Sequence, residues 1–203
     1  MANFNLDVAY NFATEKFRNK NPELMAKNSG GEYTEDAINI EYLGDNYKVN
    51  IPDGAVTLAE GGKDVDLKLQ VLILHYLTEA SGISLANKKI SFKEVPGGNI
   101  YIEPFNKRAV IPFTKMFGEK PEAFKKVAAK MNGIPDTVGE ISFTIPVFPR
   151  VPVTYILWLA DDEFPASGNI LFDASAINYL PTEDFAVIAQ LAVFKMKALL
   201  EKM

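Results

Sequence analysis

The sequence of 203 residues is 48% hydrophobic and 23% charged, and it contains no Cys, one His and three Arg. This composition is typical of a globular domain, and the missing Cys excludes disulfides, thiol nucleophiles, iron–sulfur clusters and thiolate zinc sites. The net charge of −5 and the scarcity of Arg argue against a nucleic-acid-binding face.

The first part of the chain predicts two helices. Apolar residues recur at helical spacing from about Asn5 to Lys20. Asn21 and Pro22 are then typical of an N-cap followed by the first helical residue, and they open a short second helix. Gly30 and the glycine after it end that helix.

A β-hairpin and a buried helix follow. Alternating segments at residues 38–43 and 47–51 flank a short Gly-containing turn, and residues 55–58 add a third strand. A helix is predicted over about residues 64–82, opened by an Asp cap and apolar on nearly every side. Since a helix of that kind is covered by other elements, we expect it to be central.

The second half mixes strands and helices. Strands are predicted at residues 89–94, 141–145, 153–159 and 170–172, a short extended piece at 100–102, and helices at 121–131 and 182–202. Residues 105–117 are ambiguous because Pro104 and Pro112 interrupt the helical pattern. Three Pro within residues 146–152 predict an edge strand or an extended connector, since each removes a ladder donor.

Helices and strands therefore mingle without regular βαβ alternation, which predicts an α+β fold. We expect a single domain over residues 1–203 with a mixed or antiparallel sheet, the buried helix at about 64–82 and a C-terminal helix at about 182–202. The first residues lack the basic start and apolar run that are typical of a signal peptide, so we expect none, and no apolar run of the sequence is long enough to span a bilayer. We therefore expect a cytoplasmic protein that binds neither membranes nor nucleic acid, and the oligomeric state stays open.

His75 is the first candidate site residue. It lies within an apolar helical segment, and Glu79 follows one turn later on the same side. A neighbouring carboxylate fixes the tautomer of the imidazole and raises its pKa, which suits a general base or an axial metal ligand. The alternative is a core His whose ring nitrogens are satisfied by Glu79 and a backbone carbonyl.

An acidic cluster is the second candidate. Asp161, Asp162 and Glu163 follow an apolar strand, and Asp173 comes twelve residues after the first of them. Such oxygen ligands suit Mg²⁺ or Ca²⁺, and a carboxylate pair could instead act as acid and base. The alternative is a solvated loop, with Asp173 as the N-cap of a helical turn.

The scarce Arg and Trp residues form the third candidate group. Arg150 lies on the Pro-rich connector near the strand that carries Trp158, and Arg108 is the other Arg that could clamp a carboxylate or phosphate. The alternative is that Trp158 belongs to the core and Arg150 pairs with a surface carboxylate. No known catalytic motif is present, so we assign no catalytic residue.

Several segments together resemble the prokaryotic family catalogued as domain of unknown function 3786. They are residues 72–77, 95–98, 149–152, 158–167, 171–176 and 179–184. The resemblance covers nearly the whole chain. It implies a family found largely in anaerobic bacteria and archaea, some members of which carry a fused iron–sulfur segment, and no established activity. This Cys-free chain lacks that segment, and the resemblance supplies no catalytic residues.

These observations favour a non-enzymatic protein that binds a small molecule. A central helix carrying His75, with Trp158 and Arg150 nearby, would bind an apolar or planar ligand that bears carboxylates. A corrinoid or other tetrapyrrole is one candidate, with His75 as axial ligand. The alternatives are a protein-interaction module that uses the Pro-rich connector as an edge, and a carboxylate- or Mg²⁺-dependent enzyme. The sequence specifies no cofactor.

Overall fold

Residues 6–203 are described in the computed structural model, and they divide into two units. Unit 1 comprises residues 6–84, 148–150 and 178–181, and unit 2 comprises residues 85–147, 151–177 and 182–203. Helices and antiparallel sheets are both present, which confirms the α+β class. The extent of one domain over residues 1–203 stays a prediction. Asn5, the predicted start of the first helix, lies outside the described residues.

Unit 1 contains the predicted helices and hairpin. Its elements are α1 (Leu6–Arg18), α2 (Pro22–Ser29), β1 (Glu32–Tyr33), β2 (Ala37–Tyr42), β3 (Asp45–Asn50), β4 (Val56–Leu58) and α3 (Leu67–Glu79). The four strands form an antiparallel sheet in sequence order. The predicted caps are confirmed: Asn21 Oδ1 accepts the N–H of Leu24 at 2.8 Å, and Gly30 ends α2 with a φ of +78°.

The buried helix is α3. Residues 71–74 and 76–78 are all buried, as expected for a helix that is apolar on nearly every side. Asp66 caps it by accepting the N–H of Lys68 at 3.0 Å. The helix ends at Glu79, earlier than predicted, and Gly82 adopts its positive φ of +78° beyond the helix end.

Unit 2 is built around a five-stranded sheet. Its strands are β5 (Lys89–Ser91), β6 (Ile134–Asp136), β7 (Ile141–Phe148), β8 (Val151–Trp158) and β9 (Ser167–Asp173), in the order β5-β9-β8-β7-β6. Its helices are α4 (Ile102–Phe105), α5 (Ile111–Phe117), α6 (Pro121–Lys130) and α7 (Thr182–Leu200), with a π turn (Asn106–Val110) between α4 and α5. Short 3₁₀ helices occupy residues 92–94, 98–101 and 174–178. No helix among residues 6–203 has the length and apolar character needed to cross a bilayer.

The five-stranded sheet is strongly curled. Lys89 Nζ on β5 lies 2.9 Å from Asp136 Oδ2 on β6, although these strands are the two edges of the sheet. In a flat sheet, four inter-strand spacings would separate the edges by about 19 Å. The ion pair therefore requires the edges to approach each other. Thr144 on β7 also donates to Asp136 Oδ2, at 2.9 Å.

Three predictions about the second half are wrong in whole or in part. The strand predicted at residues 89–94 ends at Ser91, and residues 92–94 form a 3₁₀ helix. Residues 100–102 are helical, because Gly97 turns the chain with a φ of +74° and the 3₁₀ helix that follows runs directly into α4. A three-residue apolar run does not distinguish a strand from a helix.

The Pro-rich stretch is the third correction, and it is partial: β7 and β8 are interior strands of the sheet, whereas Pro146 and Pro152 themselves lie outside the ladders with β6 and β9. Pro146 lies beyond Thr144, the last β7 residue that pairs with β6, and Pro152 precedes Val153, the first β8 residue that pairs with β9. Neither Pro therefore interrupts those ladders.

Candidate functional site: a cavity beside a π turn

His75 lies in the middle of α3 and is half-buried. Its backbone carbonyl accepts the hydroxyl of Thr78 at 3.2 Å. Glu79, which we predicted beside His75, forms an ion pair with Lys16 of α1. Cavities of about 450, 240 and 430 Å³ open among the described residues of this chain, and His75 lines none of these.

Arg150 participates in the core of unit 1 through its backbone. Its N–H donates to the hydroxyl of Tyr76 at 3.1 Å, and that hydroxyl donates to the carbonyl of Ser29 at 2.6 Å. The Tyr76 ring stacks on Phe148 with the centroids 4.0 Å apart. Burial raises the pKa of the Tyr76 phenol, so it remains a neutral donor. The half-buried Arg150 therefore helps to fix α3 against the β7–β8 turn.

Trp158 and Arg108 lie away from Arg150 along the chain. Arg150 immediately precedes β8 and Trp158 ends it, so roughly 26 Å of strand separates them. A Cβ added at Gly139 would lie 3.3 Å from the indole nitrogen, so Trp158 packs against the backbone there. Arg108 is exposed on the π turn. A common site for Trp158, Arg108 and Arg150 stays a prediction.

The acidic residues after β8 form an exposed turn. Asp161 Oδ1 accepts the N–H groups of Phe164 at 2.7 Å and Glu163 at 2.9 Å, and these bonds hold the pKa of Asp161 below its ordinary value. Asp162 and Glu163 are exposed. Among residues 6–203, no group of three or more His, Asp or Glu side chains is arranged to hold a metal ion.

Asp173 lies at the end of β9, where its carboxylate accepts hydrogen bonds from nearby groups of the protein. Its Oδ1 accepts the N–H of Ala86 at 2.9 Å, the N–H of Ser175 at 2.9 Å and the hydroxyl of Ser175 at 2.5 Å. Burial alone would raise the pKa of this carboxyl, but the hydrogen bonds outweigh burial and keep it lowered. The predicted capping of the following helical turn is confirmed, and the carboxylate also holds the chain before β5.

A cavity of about 430 Å³ in unit 2 combines features of a ligand site. Residues from β5, the helical segments and β9 line it: Ser91, Phe92, Lys93, Ile102, Phe105, Asn106, Val110, Ile111, Gly168 and Asn169. This volume falls within the range of about 300–1,000 Å³ that is typical of small-molecule sites. We call it the π-turn cavity.

The π turn determines which side chains face this cavity. The N–H of Ile111 donates to the carbonyl of Asn106, five residues back. In a regular α-helix Ile111 would project roughly 140° from Asn106, whereas the wider turn lets both residues and Val110 line the cavity. Pro112 accounts for the widening, because its ring cannot be accommodated against the carbonyl four residues earlier in a regular helix.

The lining has an apolar side and a polar side. Phe92 and Phe105 stack with their centroids 4.2 Å apart and form the apolar side together with three aliphatic residues. The polar side consists of Ser91, Lys93 and the amide side chains of Asn106 and Asn169. None of the described lining residues is Asp or Glu.

The polar groups of this cavity are available to a ligand. Within residues 6–203, Lys93 has no ion-pair partner and the Asn106 side chain has no hydrogen bond. Asn169 uses its Oδ1 to accept the N–H of Ile170 at 2.8 Å, which directs the amide NH₂ away from that bond. Glu94, next to Lys93 in the chain, accepts the N–H and the hydroxyl of Ser91.

Sequence reasoning missed this cavity. Lys93, Asn106 and Asn169 are far apart in the chain, and each looks like an ordinary polar surface residue. One signal was available: Pro104 and Pro112 interrupt a segment that is otherwise helical, and a helix that accommodates Pro within its length often contains a π turn or a kink.

A family model described as a domain of unknown function (DUF3786) matches residues 21–195, nearly the whole chain. The chain belongs to this family. The range that matches DUF3786 contains every residue that lines the π-turn cavity. No curated protein and no solved structure matches the chain.

Proposed function

We propose that this protein binds a small amphipathic anion, an apolar molecule that carries one carboxylate, in the π-turn cavity. The observation that carries the proposal is the unpaired ammonium of Lys93 beside two amides and an apolar wall, in a lining whose described residues include no Asp or Glu. The cytoplasmic location of the protein stays a prediction.

The electrostatics of the lining favour an anion. The chain has 26 acidic residues and a net charge of −5, so an acid-free cavity that contains a Lys differs from the average surface. The Lys93 ammonium and the amide NH₂ groups that Asn106 and Asn169 can supply are donors, which suits the acceptor-only carboxylate. A cationic ligand would meet a like charge and no acceptor of opposite charge.

The aromatic and aliphatic wall favours an apolar body on the same ligand. Ile111 is 43% exposed and Phe92 and Phe105 are almost fully buried, so the wall extends from the protein surface into the interior. Covering the exposed aliphatic part of this wall gains about 25 cal/mol per Å² of apolar area removed from water, whereas the two Phe rings are already shielded from water. A ligand without an apolar part would forgo this contribution.

The tetrapyrrole version of the ligand-binding hypothesis receives less support. An axial role for His75 requires open space beside the ring, and the cavities of about 450, 240 and 430 Å³ are lined by other residues. We retain the expectation that the ligand is partly apolar and carries a carboxylate, but we propose the cavity in unit 2 as its site in place of α3.

Calorimetric titration tests the proposal with four probes: octanoate, 3-phenylpropionate, octylamine and acetate. We expect at least one of the first two to bind, because each combines an apolar body with a carboxylate. Octylamine reverses the charge and acetate removes the apolar body, so neither should bind. Equal binding of octylamine and octanoate, or no binding of either apolar carboxylate, would contradict the proposal.

Two variants locate the site. Lys93→Gln removes the cation, and Asn169→Asp keeps the acceptor for the N–H of Ile170 while adding a negative charge to the cavity. Each should weaken carboxylate binding at least tenfold. Lys107→Gln is the matched control, because Lys107 is exposed on the π turn and does not line the cavity. An equal effect of Lys93→Gln and Lys107→Gln would place the ligand elsewhere.

A further inference from the structure

A second cavity, of about 450 Å³, lies in unit 1 along α1. One face of that helix and the turn after β3 line it: Tyr10, Asn11, Thr14, Glu15, Arg18, Asp53 and Ala55. The helical residues follow the spacing i, i+1, i+4, i+5 and i+8, which is one continuous face. We call it the helix-1 cavity, and it differs from the π-turn cavity in being lined mainly by polar and charged groups.

Thr14 contributes an unusual group to this lining. The residue is 6% exposed, and its buried Oγ1 has no hydrogen-bond partner among residues 6–203. A Thr hydroxyl in a helix ordinarily bonds a carbonyl three or four residues back, and Oγ1 of Thr14 does not. Leaving a buried hydroxyl unsatisfied is costly, so a rotation of the Thr14 side chain that turns Oγ1 toward an occupant of the cavity would gain a hydrogen bond.

The turn at Gly54 fixes the orientation of Thr14. A Cβ added at Gly54 would lie 3.6 Å from the methyl group of Thr14 and 3.3 Å from the ring of Phe17, so the turn packs tightly against α1. Two hydrogen bonds close the turn. The N–H of Gly54 donates to the carbonyl of Asn50 at 2.8 Å, and the N–H of Ala55 donates to Asp53 Oδ1 at 3.0 Å. The wall of the cavity opposite α1 is therefore held by its own hydrogen bonds.

The charged groups of the helix-1 cavity have opposite signs. Arg18 provides a guanidinium, and Glu15 and Asp53 provide carboxylates. No ion pair joins any of the three to another side chain in the described part of the chain. A ligand with an anionic and a cationic group would satisfy both signs, and the hydroxyl of Thr14 could donate to its anionic group.

We propose that the helix-1 cavity binds a zwitterion of the α-amino-acid class with a polar side chain. The carboxylate of the ligand pairs with Arg18 and accepts the hydroxyl of Thr14, and its ammonium pairs with Glu15 and Asp53. Tyr10 and Asn11 provide hydrogen-bonding groups for the polar side chain. This site is independent of the π-turn cavity.

The test is calorimetric titration of the full chain with each of the twenty standard L-amino acids. At least one polar amino acid should bind with a dissociation constant below about 1 mM, and its N-acetyl and carboxamide derivatives, which each lack one charge, should bind at least tenfold more weakly. If no amino acid binds, the cavity holds water only and the proposal is overturned. Equal binding of the derivatives would also overturn it.

Two variants and two controls assign the binding to this cavity. Thr14→Val replaces the hydroxyl by a methyl group of similar size, and Arg18→Gln removes the cation. Each should weaken binding at least tenfold, and Thr14→Val should not lower the urea midpoint, because the lost hydroxyl had no partner in the described part of the protein. Unchanged affinity in Thr14→Val would overturn the proposal. The controls Thr57→Val and Lys27→Gln alter residues outside the lining and should bind normally.

Discussion

Tyr76 offers the sharpest test of how unit 1 is stabilised. Its side chain is fully buried, and its hydroxyl joins two backbone groups, the carbonyl of Ser29 at 2.6 Å and the N–H of Arg150 at 3.1 Å. Tyr76→Phe keeps the stacking on Phe148 and removes only the oxygen. Both backbone groups then lose their partner, and an unsatisfied buried group costs about 1–3 kcal/mol. Since Arg150 is half-buried and its N–H regains some hydration, we expect a loss of about 2–4 kcal/mol.

Tyr155→Phe is the matched comparison in unit 2. The hydroxyl of Tyr155 makes one bond of 3.3 Å to the carbonyl of Ala189, which lies within α7 and keeps the helical environment of that carbonyl when the hydroxyl is removed. We expect a loss of about 1 kcal/mol or less. Urea denaturation followed by circular dichroism measures both variants, and hydrogen exchange of the α3 amides localises the effect of Tyr76→Phe. If Tyr76→Phe costs no more than Tyr155→Phe, the two bonds of Tyr76 do not carry the stability assigned to them.

Three further changes test other parts of the structure. Because hydrogen bonds lower the pKa of Asp173 in the folded state, they stabilise the protein above the ordinary value of 3.8 and this stabilisation is lost as the pH falls below it. Asp173→Asn should therefore lower the urea midpoint at pH 7 and have a much smaller effect at pH 3, and an equal effect at both would contradict the assignment. Gly98→Ala should destabilise the chain by about 2 kcal/mol or more, since its Cβ would lie 1.8 Å from the carbonyl oxygen of Phe92. Gly61 has a φ of +84°, and a Cβ added there would have no heavy atom within 4 Å, so Gly61→Ala should lower the free energy of unfolding by only about 1–2 kcal/mol. Thermal denaturation measures both glycine variants, and a larger loss for Gly61→Ala than for Gly98→Ala would contradict this reasoning.

Local features of the fold could be predicted from the sequence because a few neighbouring residues cause them. Asn21 and Gly30 begin and end α2 through bonds within the helix or next to it. The β2–β3 hairpin follows from alternation on both sides of a short turn. The capping role of Asp173 depends on Ser175, two residues away, and was predicted for the same reason.

The partner strands of the Pro-rich stretch could not be predicted. Whether Pro146 and Pro152 are tolerated depends on where the ladders of β7 with β6 and of β8 with β9 end, which local sequence does not show. The path of residues 100–102 likewise depends on the close approach of Gly98 to the backbone of Phe92.

The same distinction between local and long-range causes applies to the candidate sites. The sequence led to the prediction of ligand binding, which stays a prediction, and it singled out His75 and Arg150 because His and Arg are rare in this chain. Rarity does not reveal which side chains face a common space. Lys93, Asn106 and Asn169 meet only when β5, the π turn and β9 are assembled. The burial of Thr14 likewise depends on the turn at Gly54, which packs against it from a distant part of the chain.

By itself, the sequence determined the chemistry available to this protein. The protein has no thiol, one imidazole and an acidic net charge, which follow from residue identity. The burial of α3 and the helix caps follow from the local spacing of apolar and capping residues. Tertiary structure alone decided that the sheet curls until Lys89 meets Asp136, that Asp173 holds a distant loop, and which polar groups line each cavity. The physical reason is that hydrogen bonds, ion pairs and cavities depend on distances between residues far apart in the chain, which local periodicity does not encode.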